Sequence, residues 1–293
     1  MMNGQTNSNY GVSLLVFGQL GKSSEISFST IRNLNCKSIC VMGDKSGIEW
    51  ISGISEKLNC HNLCVHIPSP KDLDALKLSF TEESKYSNFG NERFIKLTTF
   101  KWYLIKDVLN RHQDLNFTLF SDLDIIWLQD PSINNFAKFE NTFLFVQDDS
   151  PLNNQTEHVC SGVMFWRNNN NSKETLKLLF ENQLKANVEG YLFPDEPILN
   201  LWIKNNTKKD FYRLLPKSEY VIGHRFFHLI LKFGFSFNNL ICFHANYVKG
   251  EKRKLRRMKI LIDRINNGTY WIIYFPIEIL LKFWSMLIEK GKK

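Results

Sequence analysis

The sequence predicts an α/β protein with a Rossmann-like central mixed sheet, mostly parallel and flanked by helices. Apolar runs of strand length alternate with segments of helical period, which is typical of βα units. The chain has 293 residues, of which 43% are hydrophobic and 23% are charged, so it can bury a sizeable core. Because no repeat or low-complexity linker divides it, we expect one domain over residues 1–268 and a helical tail over 269–293.

The first hundred residues read as successive βα units. Helical spacing of apolar residues predicts a helix at 48–58, between the second and third strands. Residues 69–92 are polar, and we expect an irregular or mobile connection there. From Phe94 to about Arg111 the apolar positions again follow helical spacing and predict one helix. The strands predicted before that helix lie at 12–18, 37–43 and 62–67.

The next strand, FTLFS at 117–121, is apolar and bounded by polar residues, as expected of a buried parallel strand. It ends in Asp122-Leu123-Asp124, so this acidic pair lies at the carboxyl edge of the sheet, where open α/β sheets bind ligands. The remaining predicted elements are strands at 142–147, 159–166 and 240–245, a helix at 172–185 with Ser172 as its N-cap, and a helix that opens at Asp195.

The chain is basic, with a formal net charge of +8 and a pI of about 9.1, which implies an anionic partner. Nucleic acid, a membrane surface and a phosphorylated small molecule all meet that description. No nucleic-acid-binding module is recognisable, so we expect no nucleic-acid partner. The first residues, MMNGQTNSNYG, contain no basic region followed by an apolar stretch, and we expect a cytoplasmic location.

The cysteine pattern admits two interpretations. Four of the six cysteines form two spaced pairs, Cys36 with Cys40 and Cys60 with Cys64. With His61 and His66 nearby, these pairs admit a zinc site. Their spacing differs from that of structural zinc sites, and both pairs lie in or beside apolar runs, where cysteine is an ordinary small buried residue. We therefore expect reduced, buried thiols.

The pair formed by Asp122 and Asp124 favours a hard divalent cation. The two residues are two positions apart, so in an extended strand their side chains project to the same side and reach one ion. Proteins usually bind a diphosphate through Mg²⁺ or Mn²⁺, held by one or two carboxylates together with phosphate oxygens. Solvated turn carboxylates explain the pair alone equally well. Its context favours the ion, because an apolar strand precedes it and the Asp130-Pro131 turn follows.

The segment SDLDIIWLQDP (121–131) resembles the Asp-x-Asp segment of GT-A fold glycosyltransferases. The resemblance is greatest to the nucleotide-diphospho-sugar transferase family, which includes plant cell-wall xylosyl- and arabinosyltransferases, and glycogenin-like enzymes are more distantly similar. It extends in order over residues 93–257. Four further blocks carry it: Arg93 and Lys101 before the acidic strand, SGVMFWRNN (161–169), DEPILN (195–200) and HANYVKGEKRK (244–254).

This resemblance implies a GT-A fold and transfer of a hexose or pentose from a nucleotide-sugar donor, a UDP- or GDP-sugar, to a hydroxyl acceptor. The acceptor class is a glycan, protein or lipid, and similar enzymes retain the anomeric configuration. Donor contacts are expected from residues spread over the matching blocks: Arg93, Lys101, Asp122, Ser161, Gly162, Asn200, Gly250 and Lys254. His244 is expected to join Asp122 and Asp124 as a metal ligand, and imidazole shifts the preference from Mg²⁺ toward Mn²⁺.

By the same resemblance, Asp195 or Glu196 is the candidate for positioning the acceptor hydroxyl or stabilising oxocarbenium-like charge. Asp195 is equally well explained as the N-cap of a helix with Pro197 in its first turn. Three positions depart from the family pattern: Glu196 replaces a glutamine, Ser161 replaces a threonine, and Cys160 replaces the asparagine before it.

Two other functional classes stay open. A hydrolase of the haloacid-dehalogenase type also has Asp-x-Asp after an apolar strand, with the first aspartate as nucleophile. That class has its motif near the start of the chain, whereas here it begins at Asp122. A non-catalytic carbohydrate-binding relative would hydrolyse no donor even with Mn²⁺ present.

The segment from Tyr270 to Ile288 is almost wholly apolar and aromatic. Positions 278, 282 and 285 within it, and 289 directly after it, are polar and share one face of a helix, which makes the segment amphipathic. The helix either packs on the catalytic domain, lies in a membrane interface beside the basic run 249–259 as a peripheral membrane contact, or anchors the chain in the bilayer.

Overall fold

The chain folds around two β-sheets, and the computed structural model describes residues 9–18, 20–78, 91–131, 133–151, 157–206, 209–225, 239–248 and 250–267. The larger sheet contains the strands β1 (Tyr10–Val16), β2 (Ser38–Gly43), β3 (Leu63–Val65), β4 (Phe117–Ser121), β6 (Leu144–Asp148), β7 (Val159–Arg167) and β8 (Tyr212–Leu215). The smaller sheet contains β5 (Ile125–Trp127), β9 (Tyr220–Ile222) and β10 (Cys242–His244). The strand orders are β3-β2-β1-β4-β7-β6-β8 and β5-β10-β9.

The helices are α1 (Lys22–Ile31), α2 (Lys45–Lys57), α3 (Pro70–Leu76), α4 (Glu92–Thr98), α5 (Phe100–Arg111), α6 (Asn170–Val188), α7 (Asp195–Asn205) and α8 (Glu251–Asn267). Short 3₁₀ helices cover Ile133–Lys138, Lys209–Phe211 and Gly223–Arg225. Strands β1 to β4 run parallel to their neighbours among themselves, whereas β7 is antiparallel to β4 and to β6. The predicted mixed, mostly parallel α/β sheet is therefore confirmed.

Strand direction decides where the acidic pair lies. Strands β1, β2 and β4 are parallel, so their carboxyl ends share one edge of the sheet. Strand β6 is antiparallel to β7, which is antiparallel to β4, and its carboxyl end therefore meets the same edge. Asp122 directly follows β4, whose bounds equal those predicted. Ligands of open α/β sheets bind at such an edge.

Several local expectations were wrong. The helix expected from Phe94 to Arg111 is divided into α4 and α5 at Thr99, which keeps helical backbone angles (φ −58°, ψ −35°), so the break is slight. Ser172 is not the N-cap of α6, because the Asn169 side chain accepts a hydrogen bond from the Ser172 amide at 2.9 Å. The connection expected to be irregular at 69–92 contains α3 and the first residue of α4, and its residues 79–90 lie outside the described part of the chain.

Helix α5 is fixed between the sheet and α6. Its buried face includes Phe100, Trp102 and Leu104, which are fully excluded from solvent. The Trp102 indole donates a hydrogen bond to Gln183 Oε1 on α6 at 2.6 Å. Since Lys101 lies between two of these buried aromatic residues, its backbone position is fixed by the packing.

Helix α8 contains most of the basic run, and its first residue is tied to the start of α1. Glu251 accepts hydrogen bonds from the Ser23 amide at 2.7 Å and from the Ser23 hydroxyl at 2.5 Å. Over the ranges given above, no helix combines the length and the hydropathy needed to cross a bilayer. The tail predicted at 269–293 lies outside those ranges, so its alternatives stay predictions.

Candidate metal and donor site

The acidic pair lies in the turn that carries the chain from the larger sheet to the smaller one. Residues 122–124 form this turn between β4 and β5, so the extended geometry expected for the pair was wrong. The Asp122 amide donates a hydrogen bond to the Gly162 carbonyl on β7 at 2.9 Å. Leu123 packs against the hydrophobic core. The carboxylates of Asp122 and Asp124 nevertheless both lie close to the imidazole of His244.

Strand β10 brings His244 to the acidic pair. It pairs antiparallel with β5, which places His244 opposite Ile125, and the Ala245 amide donates to the Asp124 carbonyl at 2.9 Å. His244 Nε2 lies 3.0 Å from Asp124 Oδ1 and 3.8 Å from Asp122 Oδ2. One possible ligand atom from each of the three residues lies within 4.8 Å of the other two. The structure thus brings together the three residues predicted as metal ligands.

Gln147 orients the imidazole, and the sequence analysis did not find it. Its Nε2 donates to the Tyr220 carbonyl at 3.3 Å, which turns Oε1 toward His244 Nδ1 at 3.0 Å. The amide oxygen only accepts, so Nδ1 donates to it, and Nε2 faces the two carboxylates. One sequence feature could have indicated Gln147: it is the last residue of the predicted strand 142–147 and is followed by Asp148 and Asp149.

Lys254 supplies positive charge to the second carboxylate of the pair. Its Nζ lies 2.6 Å from Asp124 Oδ2, on the first turn of α8. Burial alone would raise the pKa of Asp124, but His244 and Lys254 outweigh it and hold that pKa below its usual value. Burial raises the pKa of Asp122, although Lys101 and His244 oppose this effect. Asp124 is therefore the more strongly ionised member of the pair.

Lys101 is a buried cation shared between the two acidic segments. It is 3% exposed, forms an ion pair with Asp195 and lies 3.6 Å from Asp122 Oδ1. Its Nζ also donates to the carbonyl and hydroxyl oxygens of Ser161 at 3.1 and 3.2 Å, and the Ser161 hydroxyl donates to Asp195 at 2.6 Å. Burial would lower the pKa of Lys101, but Asp122 and Asp195 raise it above its usual value, so the amine is charged.

Asp195 is therefore a member of this network and not the N-cap of α7. The cap position belongs to Pro194, and Asp195 is the first helical residue, with its carboxylate turned to Lys101 and Ser161. Glu196 follows it and is partly buried; burial raises its pKa, and Asp195 and Asp149 add to the effect.

Asp149 and its neighbours extend the site, and the sequence analysis missed this group. Asp149 lies 3.4 Å from His158 and 3.3 Å from His224, and it accepts a hydrogen bond from the Tyr247 hydroxyl. Asp149, His158 and Glu196 also offer possible ligand atoms within 4.8 Å of one another. Burial would raise the pKa of Asp149, but its hydrogen-bond partners lower it. These residues add a second polar cluster at the ends of β6 and β7.

Three further predicted donor residues, Arg93, Asn200 and Gly250, are not among the three residues that converge as possible metal ligands. Arg93 Nη2 is 3.9 Å from the buried carboxylate of Asp44, which caps α2 and accepts from the Gly18 amide at 3.0 Å. Asn200 uses its amide on backbone groups, accepting from the Val159 amide and donating to the Val159 carbonyl, each at 2.9 Å. Its observed contacts therefore hold α7 to β7. Gly250 precedes α8 with a φ of +90°, a conformation that favours glycine.

Gly162 on β7 lies against His244 and Asp122. A Cβ atom there would lie 2.2 Å from His244 Cε1 and 2.9 Å from Asp122 Oδ2. We expect Gly162→Ala to displace His244 and to weaken Mn²⁺ binding by about 10- to 100-fold, the range typical of disturbed neighbours of metal ligands. Calorimetric titration of the variant with Mn²⁺ measures this loss.

The matched control is Gly53→Ala on α2, where an added Cβ meets no atom within 4 Å. We expect that variant to keep its Mn²⁺ affinity and to be as stable as the parent or more stable, because alanine favours helix. Equal Mn²⁺ affinity in the two variants would show that the close approach at Gly162 does not hold the imidazole in place.

Comparison with curated proteins identifies several related transferases. Two Arabidopsis thaliana proteins named UDP-D-xylose:L-fucose alpha-1,3-D-xylosyltransferase are 23% and 25% identical, over 58% and 59% of this chain and 48% and 50% of their own lengths. A Dictyostelium discoideum UDP-galactose:fucoside alpha-3-galactosyltransferase is 26% identical over 66% of this chain and 30% of its own length. The chain thus spans about half the length, or less, of these relatives.

Solved structures give the same fold. Mouse xyloside xylosyltransferase 1 superposes with a TM-score of 0.52 at 10% identity, over 83% of this chain and 99% of that one. The galactosyltransferase LgtC, solved with donor and acceptor sugar analogues, superposes with a TM-score of 0.53 at 10% identity, over 85% of this chain and 94% of that one. The expected GT-A fold is therefore confirmed. The family model described as nucleotide-diphospho-sugar transferase matches residues 60–258, more than half of the sequence, and the chain belongs to that family.

Proposed function

We propose that the protein is a divalent-cation-dependent glycosyltransferase that moves a sugar from a nucleotide-diphosphate donor to a hydroxyl acceptor. The observation that carries this proposal is the convergence of Asp122, Asp124 and His244 at the carboxyl edge of the sheet, with possible ligand atoms within 4.8 Å. Membership of the nucleotide-diphospho-sugar transferase family supports it. Lys101 and Lys254 lie beside the acidic pair and supply the positive charge that an anionic donor requires.

The three residues fit a divalent cation in their chemistry. Two carboxylates and Nε2 of His244, whose ring is oriented by Gln147, form a mixed oxygen and nitrogen donor set. The imidazole ligand favours Mn²⁺ over Mg²⁺. A cation bound there would supply positive charge against the diphosphate as it leaves. Lys254 balances part of the negative charge of Asp124, so the pocket is not a bare acidic cluster.

Residues around Lys101 are assigned roles toward the sugar and the acceptor. Lys101 contacts both Asp122 and Asp195 through its ammonium group. Ser161 donates to Asp195 and so orients its carboxylate. We assign to Asp195 the stabilisation of positive charge that develops at the anomeric carbon. Glu196, whose pKa is raised by burial, is assigned to the acceptor hydroxyl.

The relatives suggest which donor and acceptor to test first. The two plant relatives are named for UDP-D-xylose and L-fucose, and the Dictyostelium relative for UDP-galactose and a fucoside. We therefore propose a UDP-sugar in preference to a GDP-sugar, and a fucose-containing glycan as the first acceptor. Retention of the anomeric configuration, implied by the family resemblance, belongs to the same proposal.

Thermal-shift and calorimetric titrations with UDP and GDP, each with Mn²⁺ or with a chelator, test this proposal. We expect stabilisation by UDP only when Mn²⁺ is present. Release of UDP from UDP-xylose or UDP-galactose then separates an enzyme from a non-catalytic carbohydrate-binding relative. Indifference to both nucleotides with Mn²⁺ present contradicts the proposal.

The hydrolase alternative has less support. In dehalogenase-type enzymes the first aspartate of the motif is a nucleophile. Here Asp122 pairs with the buried Lys101 and lies next to His244, and the structures that resemble this chain are sugar transferases. Hydrolysis of a simple phosphate ester with no requirement for a nucleotide would favour that alternative.

A further inference from the structure

A second group of possible metal ligands lies away from the acidic pair. Cys40, His66 and His112 offer one ligand atom each, all within 4.8 Å of one another. Cys40 and His66 are buried, at 0% and 3% exposure, and His112 is half-buried. The group contains no carboxylate ligand, so its chemistry differs from that of the acidic pair. Thiolate and imidazole ligands suit zinc and similar transition metals.

The elements that supply these residues place the group at another part of the sheet. Cys40 lies in β2, His66 follows β3, and His112 is the C-cap of α5. His112 precedes β4, whereas Asp122 follows that strand at its opposite end. The Cys40 side chain packs with the hydrophobic cluster that joins β2 to α5. The group is therefore distinct from the proposed donor site.

The separation of two of these ligand atoms is compatible with a shared metal ion. Cys40 Sγ lies 3.7 Å from His112 Nε2. A tetrahedral zinc ion with its usual bond lengths to sulfur and nitrogen sets these two atoms about 3.5 Å apart. Only a small adjustment is needed to bind an ion between them. The partial exposure of His112 gives an ion a route from solvent.

A carboxylate fixes the orientation of the second imidazole. His66 Nδ1 donates to Asp107 Oδ2 at 2.7 Å, which leaves Nε2 as the free ring nitrogen of His66. Asp107 is held in turn by Arg111, whose Nε donates at 3.0 Å. Metal-binding histidines almost always donate their other ring N–H to a carboxylate, carbonyl or water in this way.

We propose that Cys40, His66 and His112 bind a zinc-class transition-metal ion as a second metal site, with Asp107 positioning His66. This differs from the zinc site considered from the sequence, because only Cys40 and His66 of those six residues take part, and His112 is added. Cys60, for example, donates its thiol proton toward Asn62 Oδ1 at 3.2 Å. A bound ion would join the three-residue edge strand β3 and the neighbouring strand β2 to the end of α5.

Cobalt substitution tests this site in the 293-residue chain. The acidic site is first disabled by Asp124→Asn, and Co²⁺ is then titrated while the thiolate-to-cobalt charge-transfer band is followed. We expect one equivalent of Co²⁺ with that band, displaced by one equivalent of Zn²⁺. Adding Cys40→Ser or His112→Gln should abolish the band or weaken binding at least tenfold, about the loss typical of a disturbed metal site. Circular dichroism verifies that each variant is folded. If the Cys40→Ser protein does not fold, the His112→Gln protein, altered at a half-buried position, provides the test of the metal site.

The matched control is Cys160→Ser in the same background. Cys160 Sγ is 3.6 Å from His244 Nδ1, so it is the thiol near the acidic site. We expect this variant to keep the band. A band that vanishes with Cys160→Ser and survives Cys40→Ser overturns the proposal. So does the absence of any thiolate band in the folded Asp124→Asn protein.

Discussion

Asp124→Asn should lower the rate of UDP release from a UDP-sugar by about 100-fold or more, with little change in fold. The substitution removes one negative charge and keeps the shape of the side chain. His244 and Lys254 would then face a neutral amide, and the cation site would lose its most strongly ionised oxygen ligand. Loss of one preorganised electrostatic contact in an active site costs on the order of 10² to 10³ in rate. Steady-state assays with saturating Mn²⁺ measure the effect.

Asp148→Asn is the control for this prediction. Asp148 is also buried and ion-paired, with Lys217 Nζ at 3.3 Å, but it belongs to none of the clusters of possible metal ligands among the described residues. We expect its effect on UDP release to be within about tenfold, since no proposed ligand is lost. Equal losses in the two variants would mean that activity depends on general charge at this sheet edge.

Lys101→Met should destabilise the protein by about 3 to 5 kcal/mol, the usual effect of removing one partner from a buried ion pair. Lys101 is 3% exposed and contacts Asp122, Asp195 and Ser161. Without its charge, two acidic side chains lose their shared cation in a buried setting. Urea denaturation of parent and variant, fitted to one transition, gives the difference in the free energy of unfolding.

A second substitution isolates the cause. In the double variant Lys101→Met with Asp195→Asn, part of the stability should return, because one of the uncompensated charges is gone. Lys37→Met is the exposed control: the side chains of Lys37 and Asp114 are 47% and 64% exposed, so solvent screens this pair and its removal should leave the free energy of unfolding nearly unchanged. A Lys101→Met protein as stable as the Lys37→Met protein would refute the assigned network.

Local signals account for the parts of the fold that the sequence predicted well. The run FTLFS is apolar, short and bounded by polar residues, and the structure has β4 at the same bounds. Its position before Asp122 followed from the sequence order alone. Helix α1 was missed because its sequence, KSSEISFSTI, contains serines that bury against the sheet and hide the apolar period. Strands β5, β8 and β9 were missed because runs of three or four residues carry little pattern.

The contacts that complete the site depend on strand pairing, which no local pattern encodes. His244 meets Asp124 because the three-residue strands β5 and β10 pair in one register, although the two residues are far apart in the chain. Its proposed role came from the family resemblance and not from its surroundings in the sequence. Gln147 reaches His244 because β6 ends at the same sheet edge as β4. Both contacts become visible only when the order of the strands is known.

Electron paramagnetic resonance of Mn²⁺ tests the central claim most directly, because the free ion gives a sharp six-line signal that is lost on binding. In a titration with UDP present, we expect the parent protein to remove one equivalent of this signal. The Asp124→Asn and His244→Ala variants, shown to be folded, should leave the signal at its free-ion intensity over the same range. Loss of one equivalent of signal in all three proteins would place the ion elsewhere and contradict the assignment of Asp122, Asp124 and His244 as its ligands.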